Sequence, residues 1–307
     1  MKLSIQLAPK NQCGLLLANP VMTASGTFGY GTEYSHLFDI QKLGAIVCKG
    51  TTLEARDGNE QPRMVETASG VLNSIGLQNI GVDALIKEKA PLWAGWQVPV
   101  IVNIAGETAS DYARLAGKLE GVAGVSAVEV NISCPNVKAG GAEFGAYPEP
   151  AAEVTAAVRD ATSLPILVKL TPNTSDIVKV ATAVADAGAD AICLINTLKG
   201  IAIDTDRRRP LLGNVTGGLS GPAIKPVALY MVYEISHAVE LPVIGGGGIT
   251  TATDAIEFIM AGASAVQIGT ASFANPLAPL DILEGIEQFM RDGGIDNITD
   301  LIGVARR

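Results

Sequence analysis

The stretch Ala127-Val128-Glu129-Val130-Asn131-Ile132-Ser133-Cys134-Pro135-Asn136 places a cysteine shortly after a β-branched apolar segment. The segment Ala127–Val130 has the composition of a short buried strand, so Cys134 is expected on the loop that follows it. Asn131 and Asn136 flank the thiol and offer both donors and acceptors of hydrogen bonds. A free cysteine is most often a small buried apolar residue, but this position and these polar neighbours favour a base or a nucleophile.

The composition indicates one large α/β domain. The chain has 307 residues, of which 48% are hydrophobic and only 5% aromatic, which suits a single α/β barrel. The formal net charge is -9, and no basic patch large enough for a phosphate backbone is present. We therefore expect no nucleic acid partner.

The cysteines and the N-terminus bear on cofactors and compartment. The four cysteines are dispersed and form no C-x-x-C pair, so neither a zinc site nor an iron–sulfur site is predicted; they are Cys13, Cys48, Cys134 and Cys193. Reduced thiols in apolar runs are typical of a cytoplasmic protein. The chain begins without a signal-peptide pattern and has no apolar run of membrane-spanning length, so no membrane association is expected.

Eight short apolar runs recur along the chain, and amphipathic helical stretches lie between most of them. Their continuous apolar character predicts parallel strands covered on both faces. These runs are Val21–Ala24, Ala45–Cys48, Val100–Val102, Ala127–Val130, Ile166–Val168, Ala191–Ile195, Val243–Ile244 and Ala265–Ile268. Eight repeated β-then-α units predict a (β/α)8 TIM barrel. A doubly wound sheet is the alternative, but it needs no eighth strand, and no G-x-G-x-x-G turn is present.

Three further segments complete the predicted architecture. Residues 1–19 have the pattern of a short hairpin that precedes the first barrel strand. Residues 50–80 and 197–221 are too long for plain connections and are rich in Gly, Pro, Arg and Asn. We interpret them as loop insertions on the C-terminal face of the barrel and expect residues 1–307 to form a single domain.

Polar residues and glycines follow the predicted strands, at the barrel end where active sites lie. They are Ser25, Lys49, Asn103, Asn131, Lys169, Asn196-Thr197, Gly247-Gly248 and Gly269-Thr270. Each of these residues also has a purely structural interpretation; a lysine, for example, can extend its charged end from the rim into solvent. Packing alone does not explain why polar residues and glycines follow all of these strands. Two lysines at the ends of buried strands indicate an anionic or electron-rich ligand.

The glycines after the seventh and eighth strands predict a phosphate site. Gly245-Gly246-Gly247-Gly248 is followed by Gly269-Thr270 one strand later, where such barrels commonly bind phosphate through backbone N–H groups. Gly221-Pro222 opens a helix and can add a further N–H donor. With no metal-binding triad and no carboxylate pair in view, the set favours an organic cofactor.

Several motifs in chain order resemble those of the class 1 dihydroorotate dehydrogenases, FMN enzymes of pyrimidine synthesis. Asn19-Pro20-Val21-Met22-Thr23-Ala24-Ser25-Gly26-Thr27-Phe28-Gly29 is similar to the first strand of that family. Lys49-Gly50-Thr51-Thr52 is similar to its second strand. Asn73-Ser74-Ile75-Gly76-Leu77-Gln78-Asn79 resembles its orotate-binding loop, and the stretch around Cys134 resembles its catalytic loop. The resemblance covers essentially the whole chain, and its details match the NAD-linked subclass, class 1B.

The resemblance implies a role for each matching residue. Lys169 would stabilise the negative charge of reduced FMN. The implied cofactor-binding residues are Ser25, Lys49, Gly50, Asn103, Asn131, Lys169, Ile195, Gly221, Gly247, Gly248, Gly269 and Thr270. The implied substrate-binding residues are Lys49, Asn73, Ser74, Ile75, Gly76, Leu77, Asn131, Asn196 and Thr197. Cys134 would remove a proton from C5 of dihydroorotate while a hydride leaves C6.

The resemblance also implies partners. A class 1B catalytic subunit would form a homodimer associated with an electron-transfer subunit that carries FAD and an iron–sulfur cluster, and it would pass electrons to NAD. A fumarate-dependent class 1A enzyme and a non-catalytic FMN-binding barrel are the alternatives. Dihydrouridine synthases, which also carry FMN and a cysteine on a barrel, act on tRNA, and the acidic net charge argues against them. The related domain of dihydropyrimidine dehydrogenase belongs to a much longer chain.

Overall fold

A computed structural model describes residues 1–133 and 144–306. The strands of the described residues are β1 Ile5–Gln6, β2 Leu16–Leu17, β3 Val21–Thr23, β4 Ile46–Val47, β5 Met64–Thr67, β6 Gly70–Asn73, β7 Val100–Ile104, β8 Ala127–Asn131, β9 Ile166–Lys169, β10 Ala191–Leu194, β11 Leu198–Gly200, β12 Ile203–Asp204, β13 Arg209–Pro210, β14 Gly217–Ser220, β15 Val243–Gly246 and β16 Ala265–Ile268. The α-helices are α1 Val82–Glu88, α2 Ala90–Trp93, α3 Ala109–Leu119, α4 Pro148–Ala161, α5 Ile177–Asp186, α6 Lys225–Ala238, α7 Ala252–Ala261, α8 Ala271–Ala274 and α9 Ala278–Asp292. Single turns of 3-10 helix cover Ile40–Lys42, Phe144–Ala146, Pro222–Ile224 and Ile298–Leu301.

Eight parallel strands form one sheet in the order β3-β16-β15-β10-β9-β8-β7-β4. The two edge strands meet, because the Gly44 N–H donates to the Val21 carbonyl (2.8 Å) and the Thr23 N–H to the Ala45 carbonyl (3.2 Å). The sheet therefore closes into a barrel, and the predicted (β/α)8 class is confirmed. All eight predicted strands are present, with boundaries within two residues of the prediction.

The helices follow the signals in the sequence. Thr108 and Thr251 each begin a helix through a reciprocal capping box with the residue three positions later, Asp111 and Asp254 respectively. One unit departs from the predicted pattern. The connection from β3 to β4 contains a 3-10 turn at Ile40–Lys42 and no α-helix among its residues, all of which are described. Aromatic side chains cover the barrel here instead: Tyr34 and Phe38 both pack on Phe28, which is part of the core.

The predicted N-terminal hairpin is formed by β1 and β2, which pair antiparallel. Asn11, in its turn, donates to the Ser163 carbonyl (3.2 Å) and to the Asp190 carboxylate (3.1 Å). Ser163 and Asp190 precede β9 and β10, so the hairpin lies at the amino ends of the barrel strands. The carboxyl ends remain available for a site.

The two insertions lie on the C-terminal face as predicted, but they are not plain loops. Strands from both insertions pair in one antiparallel sheet of order β11-β14-β6-β5. Leu219 of β14 lies opposite Leu72 of β6, and Gly218 lies opposite Asn73. These strands have three or four residues and several glycines, so no local periodicity marks them, and the central pairing of β6 with β14 joins the two insertions across a long stretch of sequence. Among the described residues, no helix is both long and apolar enough to cross a membrane.

Candidate active site

A cavity of about 510 Å³ opens at the carboxyl ends of the barrel strands, between the barrel and the insertion sheet. This is the end at which barrels of this class carry their active sites, and the volume suits an organic ligand of cofactor size. The wall combines the ends of the barrel strands with residues 73–78 of one insertion and residues 214, 216–218 and 220–221 of the other. Both insertions therefore help to form the cavity.

Every predicted site residue within the described ranges lines this cavity. The cofactor set is there in full: Ser25, Lys49, Gly50, Asn103, Asn131, Lys169, Ile195, Gly221, Gly247, Gly248, Gly269 and Thr270. So are the remaining substrate residues, Asn73, Ser74, Ile75, Gly76, Leu77, Asn196 and Thr197. The predicted catalytic residue Cys134 lies outside the described residues, but its sequence neighbour Ser133 lines the cavity.

A buried polar cluster lies beneath the floor of the cavity. The Lys169 ammonium donates to Gln267 Oε1 (2.8 Å), and Gln267 Nε2 donates to Glu129 Oε2 (2.6 Å). Asn103 Nδ2 donates to the other carboxylate oxygen of Glu129 (2.6 Å). Lys169 Nζ is also 3.8 Å from Glu129 Oε1, and Glu129 has no exposed surface. The carboxylate thus accepts hydrogen bonds at both oxygens and balances a buried ammonium.

A second row of polar groups continues from this cluster to the opposite wall. Asn131 Nδ2 donates to Asn103 Oδ1 (3.4 Å), and the Ser133 hydroxyl donates to Asn131 Oδ1 (2.9 Å). Asn196 Nδ2 in turn donates to Ser133 Oγ (2.7 Å). Asn131 and Asn196, two of the predicted substrate-binding residues, are therefore held at fixed orientations by this row of hydrogen bonds.

Lys49 occupies a different electrostatic setting from Lys169. Burial, with a smaller contribution from the Arg63 charge, lowers the pKa of the Lys49 ammonium below its ordinary value, and Glu33 opposes the shift. Lys49 forms no ion pair with any described residue. The adjoining Gly50 lies close to the wall formed by Asn103 and Leu77, since a Cβ at Gly50 would be 3.0 Å from Asn103 Oδ1 and 3.2 Å from a Leu77 methyl carbon. A partly buried cation without a carboxylate partner is suited to an anionic ligand group.

Glycines after β14 and β15 form a cradle that fits a phosphate group. Gly221, Gly247 and Gly248 have φ values of 97°, 121° and 78°, which glycine adopts far more readily than other residues. A Cβ at Gly248 would lie 2.8 Å from both the Gly221 carbonyl oxygen and the Lys225 amide nitrogen. The loop after β15 thus packs closely against Gly221 and the start of α6, and helix starts of this kind offer backbone N–H groups to a phosphate. The residues present fit the phosphate end of FMN.

Side chains support this cradle from two sides. Lys225 pairs with Asp254 (2.5 Å) and Glu257 (2.7 Å), which ties the start of α6 to α7. Burial by itself raises the pKa of Asp254, but the hydrogen bonds from Lys225 and from Thr250 outweigh it and hold the pKa well below the ordinary range. Thr270 Oγ1 donates to Ser220 Oγ (2.8 Å), which joins the loop after β16 to the end of β14.

Among the residues of the site that were not predicted from the sequence are Glu129, Gln267, Asn173 and Ser220. Glu129 and Gln267 interrupt the apolar runs of β8 and β16, and that interruption was the available signal. Asn173 lines the cavity and donates from Nδ2 to the Thr197 carbonyl (3.0 Å), and the Ser220 hydroxyl meets Thr270 as described above. No pattern in the sequence marks these two.

The two buried thiols near the cluster are not set up as nucleophiles. Burial raises the pKa of Cys48 to about 12 and raises the pKa of Cys193 well above its ordinary value. The Glu129 charge reinforces both shifts. Among the described residues, no group of three or more His, Cys, Asp or Glu side chains is arranged to hold a metal ion.

Comparison with known proteins agrees with this geometry. Residues 8–290 match the family model for dihydroorotate dehydrogenase. A protein from Pelobacter propionicus named dihydroorotate dehydrogenase B (NAD(+)), catalytic subunit, is 57% identical over 293 residues, which cover 95% of this chain and 96% of that protein. Proteins of the same name from Trichlorobacter lovleyi (58% identical; 94% of this chain, 95% of the relative) and Geobacter sulfurreducens (54%; 98% and 97%) are similar over comparable lengths. The chain belongs to the dihydroorotate dehydrogenase family.

Proposed function

We propose that this chain is the catalytic subunit of an NAD-linked dihydroorotate dehydrogenase, which oxidises (S)-dihydroorotate to orotate in pyrimidine biosynthesis. The family membership and the names of the relatives support the reaction and its acceptor. The structural observation that carries the proposal is the cavity that holds two lysines in different settings. Lys49 lacks a carboxylate partner among the described residues, and Lys169 is anchored to a buried carboxylate beside it.

Lys49 and the amides are the proposed substrate-binding groups. The Lys49 ammonium pairs with the substrate carboxylate, which is the anion that this cation lacks. Asn73, Asn131 and Asn196 offer donors and acceptors to the C=O and N–H groups of the pyrimidine ring. Residues 74–77 and Thr197 complete the proposed pocket for the substrate.

FMN is the proposed cofactor of the same cavity. The cradle of Gly221, Gly247 and Gly248 supports phosphate binding, and Gly269 and Thr270 lie on the adjoining loop of the cavity wall. Ser25, Gly50, Asn103 and Ile195 are the remaining proposed contacts, and Lys169 is the cation for the negative charge of the reduced ring. Bound FMN supplies the acceptor for the hydride that leaves C6 of the substrate.

Cys134 is the proposed base. The C5 proton next to a carbonyl is weakly acidic, so its removal requires a positioned base. Lys49 and Lys169 serve as cations in this proposal, and amides are not bases. As the thiolate takes the C5 proton and the hydride leaves C6, the C5–C6 bond becomes double and orotate is formed. The two electrons go on to NAD+.

A partner chain is the proposed route from this chain to NAD. The relatives are named as catalytic subunits of an NAD(+) enzyme, which implies a second subunit. We propose that the partner carries FAD and an iron–sulfur cluster, that the catalytic chain forms a homodimer, and that residues 1–307 are one FMN-binding domain. The cytoplasm is the proposed compartment, in keeping with the free buried thiols Cys48 and Cys193.

The test is rapid anaerobic mixing of the purified yellow protein with dihydroorotate while the flavin absorbance is followed. We expect bleaching by the wild type, and loss of the bleaching rate by about 10²-fold or more in Cys134→Ala with orotate binding retained. Cys13→Ala is the matched control, since Cys13 is an exposed thiol that does not line the cavity. A colourless protein, or one that dihydroorotate does not bleach, would contradict the proposal. Rapid turnover with fumarate instead of NAD would assign the chain to the fumarate-using enzymes.

A further inference from the structure

Glu129 is fully buried inside the barrel, in the middle of the apolar strand β8. A carboxylate in such a place costs several kcal/mol unless it is paired and hydrogen-bonded. Both of its oxygens accept short hydrogen bonds, from Asn103 Nδ2 and Gln267 Nε2 at 2.6 Å each, and the Lys169 ammonium lies 3.8 Å away. The charge is thus fully satisfied by groups that belong to the cavity or touch its lining.

The carboxylate dictates which way its neighbours face. An ionised carboxylate only accepts hydrogen bonds, so both amides must turn their NH2 groups toward Glu129. Their carbonyl oxygens then point away from it. Gln267 Oε1 accepts from Lys169 (2.8 Å), and Asn103 Oδ1 accepts from Asn131 Nδ2 (3.4 Å).

Two chains of hydrogen bonds, called arms below, lead to the carboxylate. The substrate arm runs from Asn196 through Ser133, Asn131 and Asn103, and each of its groups donates to the next one toward Glu129. The cofactor arm runs from Lys169 through Gln267, and it also donates toward Glu129. One buried acceptor therefore lies where the proposed cofactor arm and the proposed substrate arm converge.

We infer that Glu129 is the positioning residue of this site. It touches neither ligand directly; instead, it fixes the amide orientations of Gln267, Asn103, Asn131 and Asn196, and it places a negative charge behind the Lys169 ammonium. The inference rests on the proposed function, because it assigns these groups to flavin and substrate.

The variant Glu129→Gln retains the shape of the side chain at position 129, but its amide both donates and accepts, so the hydrogen bonds of the cluster no longer all point toward this position. Its new NH2 group must face Asn103 or Gln267, and that residue must then rotate its own amide. A rotated Gln267 presents NH2 to the Lys169 ammonium, and a rotated Asn103 presents NH2 to the NH2 of Asn131. In either case one arm has two donors facing each other, which leaves a buried donor unsatisfied.

The exchange variant Glu129→Gln/Gln267→Glu restores every hydrogen bond of the two chains that begin at Lys169 and at Asn196. In this variant Lys169 donates to the carboxylate that now stands at position 267, and the amide NH2 at position 129 donates to the other oxygen of that carboxylate. Asn103 then donates to the amide carbonyl at position 129. Gln267→Glu alone places two acceptors opposite each other instead of two donors, because two carboxylates then face each other across the 2.6 Å contact. The exchange must therefore outperform both single variants.

The experiment measures three properties of the four proteins: the orotate dissociation constant, the midpoint potential of the bound flavin, and the melting temperature of the FMN-free chain. We expect each single variant to bind orotate about 10-fold more weakly or worse, and the exchange to return to within about 3-fold of wild type. Glu129→Gln should raise the flavin potential, since it removes a negative charge behind Lys169, and the exchange should bring it back to the wild-type value or below. A residue that only supported folding would change the melting temperature and leave the potential unchanged.

Asp190→Asn is the matched control. Asp190 is also a mostly buried carboxylate that accepts several hydrogen bonds, from the Ile166 N–H (2.8 Å), Arg159 (2.9 Å) and Asn11 (3.1 Å), but it lies at the amino ends of the strands. Its variant should melt earlier yet retain the wild-type orotate affinity and flavin potential.

Two results would overturn the inference: Glu129→Gln with wild-type orotate affinity and potential, or an exchange variant no better than the single variants. If the single variants fail to fold, recovery of a folded, orotate-binding exchange variant supports the inference, and an exchange variant that also fails to fold refutes it. A wild-type protein that binds neither FMN nor orotate refutes the proposed function instead. In that event the melting temperatures of the FMN-free proteins still test the hydrogen-bond chain.

Discussion

The substitution Gly248→Ala tests the glycine cradle at its tightest point. Gly248 has a φ of 78°, and a Cβ there would lie 2.8 Å from the Gly221 carbonyl oxygen, from the Lys225 amide nitrogen and from the Lys225 Cβ. Real Cβ atoms rarely approach backbone atoms this closely, so the loop after β15 or the start of α6 must move.

Two costs add in this variant. A non-glycine residue at positive φ costs about 1 kcal/mol or more. Forcing a methyl group against backbone atoms costs about a further 1–3 kcal/mol. The sum is roughly 2–4 kcal/mol of lost folding stability, which corresponds to a fall in melting temperature of several degrees for a chain of this size.

Gly121→Ala is the control that separates the cost of positive φ from the cost of the steric clash. Gly121 has a φ of 69°, and a Cβ there would have no neighbour within 4 Å, so this variant loses only the backbone term. Gly248→Ala should therefore melt below Gly121→Ala. It should also bind FMN about 10-fold more weakly or worse, because the backbone that faces the proposed phosphate is displaced.

The assay is a fluorescence titration of each FMN-free variant with FMN, paired with a thermal melt of the FMN-free proteins. Gly121→Ala should retain the wild-type FMN affinity. Equal FMN affinities for the two variants would refute the reasoning, since the cradle would then not be where the phosphate binds.

The lysines of the site and the described cysteines give three further predictions. Lys169→Ala should lower the midpoint potential of the flavin and slow its reduction, measured by anaerobic redox titration; an unchanged potential would remove the assigned role. Because burial lowers the pKa of Lys49, its ammonium is lost at a lower pH than that of an ordinary lysine, so KM for dihydroorotate should begin to rise at correspondingly lower pH, whereas Lys49→Arg should show no such rise. Among the described cysteines, Cys13 should react rapidly with iodoacetamide because its side chain is exposed. Cys48 and Cys193 should remain unmodified until the protein unfolds, as checked by peptide mass spectrometry; rapid labelling of either would contradict their buried, raised-pKa state.

The barrel strands could be predicted because each is a continuous apolar run that packs on both faces. Val100–Ile104 and Ala265–Ile268 illustrate this, with boundaries that differ from the predicted ones by two residues or fewer. The residue after such a run projects at the carboxyl end of the barrel, which is why Lys49 and Asn196 could be assigned to the site from position alone. Here local pattern and global fold agree.

The insertion sheet could not be predicted in the same way. Its central pair joins two strands that lie far apart in the chain, as Leu72 and Leu219 do, and a strand of three or four residues has too few positions to show a period. The first crossover also departs from the prediction, because eight β-then-α units imply a helix where Phe28, Tyr34 and Phe38 cover the barrel without one. In both cases tertiary contacts supply an order that the local sequence does not encode.

The buried cluster shows a different limit. Glu129 and Gln267 each appear in the sequence as a single polar interruption of an apolar strand, and neither has meaning until the barrel closes. The closed barrel brings their side chains to 2.6 Å across 138 positions of sequence. Once they meet, an acceptor-only carboxylate leaves the adjoining amides one orientation each, so closure of the barrel and alignment of the site are the same physical event. A substitution in this cluster should therefore affect folding and ligand recognition together, and the exchange of Glu129 and Gln267 should restore both, because it preserves the packing and the direction of the hydrogen bonds while it moves the charge.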